Sequence, residues 1–337
     1  MKNTAVLTVE FKTRKKGLLY EGVSWYRKGI EDHLKIAENK IILTSVRTGK
    51  IGEDFLFSPN SPARFQLYRA ICFYLSVTGI LPSVRRATFK VNKCDLPIDS
   101  SSLTQNWENC GIHILLDRDA ASKCFTEKGK ACYVAMTYFL KAQLDSFSND
   151  CFRAAWSGLN ALYNNMTDKP HEKDKLQRLA QIIREFGLPL TEDQVTHIDS
   201  DSMFWRRLQW HNYIQNKHRG KNKTVIQESL INGAYHDEII FAYLSRYVLG
   251  EMKDSEQLAL QLKEIKTSPD PRERVIFLLT EYCYMLRNRS FHGEKPYPLF
   301  RMQGEAETEE EQLLTDILLK AICDLLANYD QWINSST

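Results

Sequence analysis

The sequence lacks several features that would assign it to a broad class at once. No apolar run reaches the roughly 18–20 residues that a membrane helix needs. The opening segment, MKNTAVLTVE, has neither the apolar stretch nor the small-residue cleavage site of a signal peptide. The charge is nearly balanced, with 45 Lys plus Arg against 42 Asp plus Glu and a formal net charge of +3. A protein that coats nucleic acid usually carries a larger excess of positive charge. We therefore expect a soluble, cytoplasmic protein with no membrane partner.

Paired cysteines and the common catalytic signatures are also missing. The eight cysteines form no CxxC pair, which predicts reduced thiols and no structural zinc site. Cys72, Cys132 and Cys323 lie in apolar helical surroundings and are expected to be small buried hydrophobes. The chain has no GxxxxGK[ST], GxGxxG, HExxH or GxSxG motif, which argues against ATPases, dinucleotide enzymes, zinc proteases and serine hydrolases of the common types. We expect no cofactor and no metal.

One acidic segment could suggest metal chemistry. His197, Asp199 and Asp201 (HIDSD) could serve as metal ligands or as the carboxylate pair of a nucleotidyltransferase. No Gly-Ser phosphate-binding element precedes them, so a polar turn between helices is the favoured interpretation.

The patterning predicts an α+β fold with a β-rich front and a helical back. Residues 1–118 contain predicted strands at 5–11, 18–26, 40–46 and 86–91, a helix at 62–79 and a polar loop at 95–109. Residues 119–337 contain predicted helices at 128–147, 152–166, 173–186, 202–215, 236–249, 255–265, 270–287 and 307–333. We expect a small N-terminal domain over 1–118, for sensing or substrate positioning, and a larger helical domain over 119–337.

The last predicted helix carries an apolar stripe at helical spacing. The stripe consists of Leu314, Ile317, Leu318, Ala321, Leu325 and Tyr329. Packing in the core is the favoured interpretation, and contact of part of the stripe with a second subunit stays open.

One motif carries information about chemistry. Residues 282–300 read YCYMLRNRSFHGEKPYPLF and include Arg287, Asn288 and His292. An imidazole titrates near neutrality and can give or take a proton. A guanidinium stays charged and can stabilise a phosphorane. RNA supplies its own nucleophile, the 2′-hydroxyl, so this pair suits RNA cleavage without a metal.

The spacing of Arg and His is weak by itself. Arg followed by His after four to six residues also occurs at Arg27/His33 and at Arg206/His211. The first of these pairs encloses acidic residues, which would oppose a phosphate. The second is basic and helical, and is either a decoy or an accessory RNA contact. Only the pair at 287 and 292 has Asn directly after the Arg and Phe-His-Gly at a helix exit.

The motif RNRSFHG, between an apolar helix and a last long helix, resembles the RNxxxH signature of the HEPN superfamily. The segment FRAAWSGLNAL at 152–162 is similar to an early HEPN helix built around a Trp. The resemblance covers roughly residues 120–335 and implies a HEPN-like helical bundle that dimerises. It also implies a metal-independent endoribonuclease of a defence or toxin–antitoxin system. Arg287 and His292 would be the catalytic pair and Asn288 their polar helper. Long insertions between the early helices and the motif depart from the compact form, which leaves the substrate open.

Helix geometry constrains how this site forms. Five residues turn a helix by about 500°, so Arg287 and His292 lie about 140° apart, whereas Asn288 and His292 share a face. Either the helix unwinds near Gly293 or two copies meet across a two-fold axis. The resemblance favours a homodimer with a composite site. In this hypothesis His292 is general acid and base, Arg287 stabilises the phosphate and Asn288 orients the groups.

A basic, aromatic segment at 204–224 contains no acidic residue. The RNA-binding residues predicted there are Arg206, Arg207, His211, Lys217, Arg219, Lys221 and Lys223. Interleaved Trp205, Trp210 and Tyr213 could stack on single-stranded RNA. The alternative is a solvated basic face with its aromatic side chains in the core. The acidic residues of 305–316 are expected to form the favourable acidic start of the last helix.

Two classes of function follow from the sequence. The first is a dimeric endoribonuclease with RNA as its partner and with a trigger or regulatory partner for its N-terminal part. The second is a non-catalytic HEPN-like interaction module that binds a partner protein or nucleotide. A simpler alternative for the motif is that its polar side chains only cap the helix that carries them.

Overall fold

The structure is a computed structural model. It describes residues 2–27, 30–49, 51–52, 54–58, 61–96, 98, 111–145, 148–198, 203–217, 237–250, 267–291 and 305–334. The predicted α+β fold is confirmed, because an antiparallel sheet in the first hundred residues precedes a helical region.

The sheet has six strands in the order β2-β3-β4-β1-β5-β6, and neighbouring strands run antiparallel. The strands are β1 Asn3–Phe11, β2 Leu18–Arg27, β3 Ile30–Ala37, β4 Lys40–Arg47, β5 Val84–Val91 and β6 Cys94–Leu96. Alternation in β1 places Ala5, Leu7, Val9 and Phe11 on one buried face. This alternation is the period of two that a half-buried strand requires.

Helix α2 (Pro62–Thr78) confirms the helix predicted at 62–79 and shows the local signals that define it. Ser61 caps its start by accepting the N–H of Arg64, and Pro62 occupies the first turn. Gly79 ends it in the left-handed conformation with φ of 66°, and its N–H donates to Leu75. A side chain at Gly79 would be strained in that conformation.

Strand β3 is one of several elements that the sequence did not reveal; β6 and the helix Pro189–His197 are others. Its sequence, IEDHLKIA, places charged residues at alternate positions and also places Asp32 on the buried face. The Asp32 carboxylate is buried there beside Arg47, with Nη2 of Arg47 2.7 Å from Oδ1. The strand is held by pairing with β2 on one side and β4 on the other, so it depends on tertiary context more than on its own propensity.

The described helices follow one another along the chain from residue 54 to residue 334. After α1 (Asp54–Phe57) and α2 come α3 Arg118–Ser122, a 3₁₀ turn Lys123–Phe125, α4 Lys130–Leu144, α5 Ser148–Tyr163, α6 Glu172–Phe186, α7 Pro189–His197, α8 Met203–Arg207, α9 Trp210–Lys217, α10 Glu238–Gly250, α11 Pro271–Ile276, a π-helical segment Phe277–Tyr282, α12 Cys283–Phe291, α13 Glu305–Ala327 and α14 Tyr329–Asn334. The helix predicted at 255–265 lies outside the described residues, as does most of the loop predicted at 95–109.

Two predicted helices are each interrupted. The helix predicted at 202–215 is two helices, α8 and α9, separated by Leu208 and Gln209. The helix predicted at 307–333 is interrupted at Asn328. The apolar stripe of this last region is buried, as the core interpretation requires.

The compact units of the chain divide it elsewhere than at the boundary predicted after residue 118. Unit 1 comprises residues 1–165 and 325–337, and unit 2 comprises residues 166–324. Helices of the predicted second domain belong to unit 1 because they pack with α2. Phe125 lies 5.3 Å from Phe73 between ring centroids, and Tyr133 lies 5.0 Å from Phe65.

The two segments that carry the HEPN resemblance fall in different units. Trp156, at the centre of FRAAWSGLNAL, is buried on α5 in unit 1. Arg287 and Asn288 lie on α12 in unit 2.

No described helix has the length and apolar character that crossing a membrane requires.

Candidate active site on the motif helix

The helix that carries the RN motif begins with strong local signals. Asp270 accepts the backbone N–H groups of Arg272 and Glu273 through Oδ1, at 3.1 and 3.2 Å, and Pro271 occupies the first turn. These features confirm the start predicted at Asp270. Helical structure then continues from α11 through the π-helical segment to Phe291, the end of α12. A π segment changes which side chains share a face, and such segments are often found near functional sites.

Arg287 and Asn288 are in direct contact on α12. Nη1 of Arg287 donates to Oδ1 of Asn288 over 2.8 Å. The same Nη1 lies 3.6 Å from Oε2 of Glu172, in the first turn of α6. The Arg287 side chain is about a quarter exposed, with 24% of its surface accessible. The guanidinium is therefore positioned by an amide from its own helix and by a carboxylate from α6.

His292 lies outside the described residues. The structure therefore does not describe the distance between Arg287 and His292. Helix α12 extends to Phe291, the residue just before His292. Asn288 is described, and its side-chain oxygen accepts a hydrogen bond from Arg287.

Arg289, which the predicted site does not include, has a defined partner. Nη1 of Arg289 donates to Oε1 of Gln209 over 2.5 Å, and Asn212 donates to the same oxygen over 2.8 Å. Gln209 lies between α8 and α9, where the sequence predicted an unbroken helix. This interaction explains part of the break, because Gln209 forms hydrogen bonds to the motif helix through both its side chain and its backbone N–H.

Tyr282 completes this polar network at the end of the π segment. Its hydroxyl accepts the Gln209 backbone N–H over 2.7 Å and donates to Oε1 of Glu310 on α13. The side chains of Tyr282 and Glu310 are both buried. Burial raises the pKa of the Tyr282 hydroxyl well above its ordinary value, and the charge of Glu310 is the next largest cause. Tyr282 therefore links the α8–α9 turn, the motif helix and α13 as a neutral hydrogen-bonding group.

The described part of the basic segment is only partly available to a ligand. Arg207 forms an ion pair with Glu309, and Nζ of Lys217 lies 2.6 Å from Oε2 of Glu281. Arg206 and His211 are exposed on α8 and α9. Arg219, Lys221 and Lys223 lie outside the described residues. The carboxylates reduce the positive potential that Arg207 and Lys217 offer to a phosphate.

The aromatic residues of this segment are in the core. Trp205, Trp210 and Tyr213 are all buried. The Trp210 ring is stacked against Tyr243 and against Phe277, with centroids 5.4 and 5.5 Å away. The alternative interpretation of these aromatic side chains as core residues is confirmed, so they are not platforms for RNA bases.

The cysteines and acidic residues form no metal site in the described chain. No group of three or more His, Cys, Asp or Glu with the arrangement of a metal site occurs among the described residues. His197 ends α7, and Asp199 and Asp201 lie outside the described residues. Cys132 and Cys323 are buried as predicted and Cys72 is half-buried; burial raises the pKa of Cys132 to about 12.

Comparison of the chain with protein-family models, curated proteins and solved structures finds no match.

Proposed function

We propose that the protein is a metal-independent endoribonuclease of HEPN type, acting as a homodimeric defence or toxin-like effector in the cytoplasm. The observation that supports it is the Arg287–Asn288 pair, because the amide of Asn288 holds the guanidinium in a defined orientation near the end of the motif helix. His292 would act as general acid and base on RNA, and the 2′-hydroxyl would be the nucleophile. Two copies of the motif would form one composite site.

The basic segment would bind the RNA backbone in this proposal. Arg206 and His211 are exposed among the described residues, while Arg207 and Lys217 have acidic partners. Arg219, Lys221 and Lys223 would extend the contact along the chain. Recognition would then depend on phosphates and salt, since Trp205, Trp210 and Tyr213 are buried.

The decisive experiment measures cleavage of total RNA by the purified full chain in the presence of EDTA. We expect cleavage by the wild type, none by His292→Ala, and 2′,3′-cyclic phosphate ends on the products. His33→Ala is a matched control, because His33 belongs to another Arg-His pair and is exposed on β3. Unchanged circular dichroism in His292→Ala would show that the fold is intact. Full cleavage by that variant would refute the proposed role of His292.

A second candidate function is a non-catalytic HEPN-like module that binds a partner protein or nucleotide. The observation that favours it is the carboxylate of Glu172 beside Arg287, which holds the guanidinium in a structural ion pair. Glu172→Gln separates the two functions. In a ribonuclease, removal of this carboxylate frees Arg287 for phosphate and raises kcat/KM on RNA. In a scaffold, the same variant only lowers the melting temperature, and no cleavage is found with any RNA.

A further inference from the structure

A buried arginine in unit 1 has no acidic partner among the described residues. Arg69, on α2, is only 2% exposed. Its Nη1 donates to the backbone oxygen of Trp25 over 2.5 Å. Its Nε is buried and has no hydrogen-bond acceptor in the part of the chain that the structure describes. Buried arginines are rare and are normally satisfied by carboxylates or phosphates, so this side chain is unusual.

The groups that surround Arg69 do not supply a negative charge. Those with an electrostatic effect on it are Cys124, Tyr133, Tyr26 and Cys132. Burial raises the pKa of the Cys124 thiol, the Cys132 thiol and the Tyr133 hydroxyl, so all three are neutral at physiological pH.

The buried carboxylate in this unit is already paired with another arginine. Asp32 is the buried acid among the described residues of unit 1, and Arg47 lies beside it, 2.7 Å away. The guanidinium of Arg69 is therefore left with one carbonyl oxygen and two aromatic rings.

Those rings form a second, independent feature of the site. The Arg69 guanidinium carbon lies 4.8 Å from the centroid of Phe65 and 5.5 Å from that of Tyr133. Phe65 also contacts Tyr26, with centroids 5.3 Å apart, so three rings form a continuous cluster. All three are half-buried, so each keeps part of its surface accessible. Aromatic surface beside a cation suits a ligand that carries both a planar ring and an anionic group.

We infer that Arg69, Tyr26, Phe65 and Tyr133 form a binding site for a nucleotide. The edge of the guanidinium that carries Nε would donate to the phosphate. The aromatic side chains would contact the base. The site lies within unit 1 and is separate from the motif residues Arg287 and Asn288 of unit 2.

The test is thermal unfolding of the full chain with AMP, UMP, adenosine or inorganic phosphate. We expect AMP or UMP to raise the melting temperature by about 5 °C at a hundredfold excess over Kd, and adenosine to have no effect. Arg69→Met should abolish this shift. Arg64→Met is the matched control, because Arg64 lies on the same helix and bonds to Tyr68, and it should keep the shift.

Two further variants keep the test decisive if Arg69→Met does not fold. Arg69→Lys retains the charge but cannot make two parallel hydrogen bonds, so it should bind AMP more weakly. Tyr133→Leu should weaken binding roughly tenfold by removing one ring. An undiminished shift in the folded Arg69 variants, an equal effect of phosphate alone, or no shift with any probe would overturn the assignment. Because no RNA is cleaved in this assay, its result is independent of the role of His292.

Discussion

The described chain buries two arginine side chains, Arg69 in unit 1 and Arg274 in unit 2, and their surroundings differ. Nε of Arg274 lies 2.7 Å from Oδ2 of Asp237. Asp237 in turn accepts the backbone N–H groups of Ile239 and Ile240 at the start of α10. Arg69, among the described residues, has only a carbonyl oxygen and two rings.

The difference separates a structural arginine from a candidate ligand-binding one. The Asp237–Arg274 pair neutralises both charges and joins α10 to α11, so the folded state is complete without any ligand. Arg69 is left with an uncompensated charge and an unused donor, which an anion would satisfy. Substitutions at the two positions should therefore affect stability very differently.

The largest expected effect is the loss of Asp237. Asp237→Ala leaves the Arg274 charge buried without its partner and removes the cap of α10. We expect the free energy of unfolding to fall by about 3–5 kcal/mol, measured by urea unfolding. Glu238→Ala is the control, since Glu238 is half-exposed and lies 3.8 Å from Arg274, and should change stability by less than about 1 kcal/mol. An equal loss of stability in both variants would show that the buried Asp237–Arg274 pair has no special role.

A smaller effect is expected from the polar network of the motif helix. Tyr282→Phe removes the hydroxyl that donates to Glu310 and accepts from Gln209. Since these groups then lose a partner in a buried site, the free energy of unfolding should fall by about 1–3 kcal/mol. Tyr138→Phe, at an exposed tyrosine, should change it by less than about 0.5 kcal/mol. Equal stability of the two variants in chemical denaturation would show that the network contributes nothing.

Asp324, in unit 2, allows a test based on the pH dependence of the free energy of unfolding. Burial raises the pKa of its carboxyl, although the Thr191 hydroxyl and two backbone N–H groups stabilise the charged form. The folded protein thus holds this proton to higher pH than the unfolded chain. The favourable contribution is full below the ordinary pKa and is lost as pH rises through the raised one.

Asp324→Asn cannot ionise and keeps one acceptor. The wild type should therefore lose stability relative to this variant as the pH rises above about 4, the ordinary pKa of a carboxyl group. The expected size is about 1.4 kcal/mol for each unit of pKa shift. Urea unfolding of both proteins at several pH values measures the difference, and a relative gain by the wild type over this range would contradict the raised pKa.

The smallest stability effect is expected at Arg69. Arg69→Met removes a desolvated charge while it keeps much of the side-chain volume, so the free energy of unfolding without ligand should stay within about 1 kcal/mol of the wild type. Arg274→Met should instead strand the Asp237 charge and be strongly destabilising. Similar losses in the two variants would show that Arg69 is as structural as Arg274.

Part of the candidate site was predictable from the sequence. The Asp270-Pro271 start and the helix through Arg287 follow from capping and periodicity, and both are present. The contacts of Arg287 with Glu172 and of Arg289 with Gln209 were not predictable, because these partners are far away in sequence. The aromatic interpretation of 204–224 was ambiguous for the same reason, since burial of Trp210 depends on Tyr243 and Phe277.

The sequence by itself determined the elements whose signals are local. Ser61, Pro62 and Gly79 define α2, and alternation defines β1, because a cap or a period of two needs only a few neighbouring residues. Tertiary structure decided the rest. The polar strand β3 depends on its pairing with β2 and β4. The break at Gln209 depends on hydrogen bonds to Tyr282 and Arg289. The electrostatic environment of Arg69 depends on which described residues the fold places near it. Burial and electrostatics act between residues that are distant in sequence. In the described part of the folded chain, Arg274 therefore lies beside a buried carboxylate, whereas Arg69 does not.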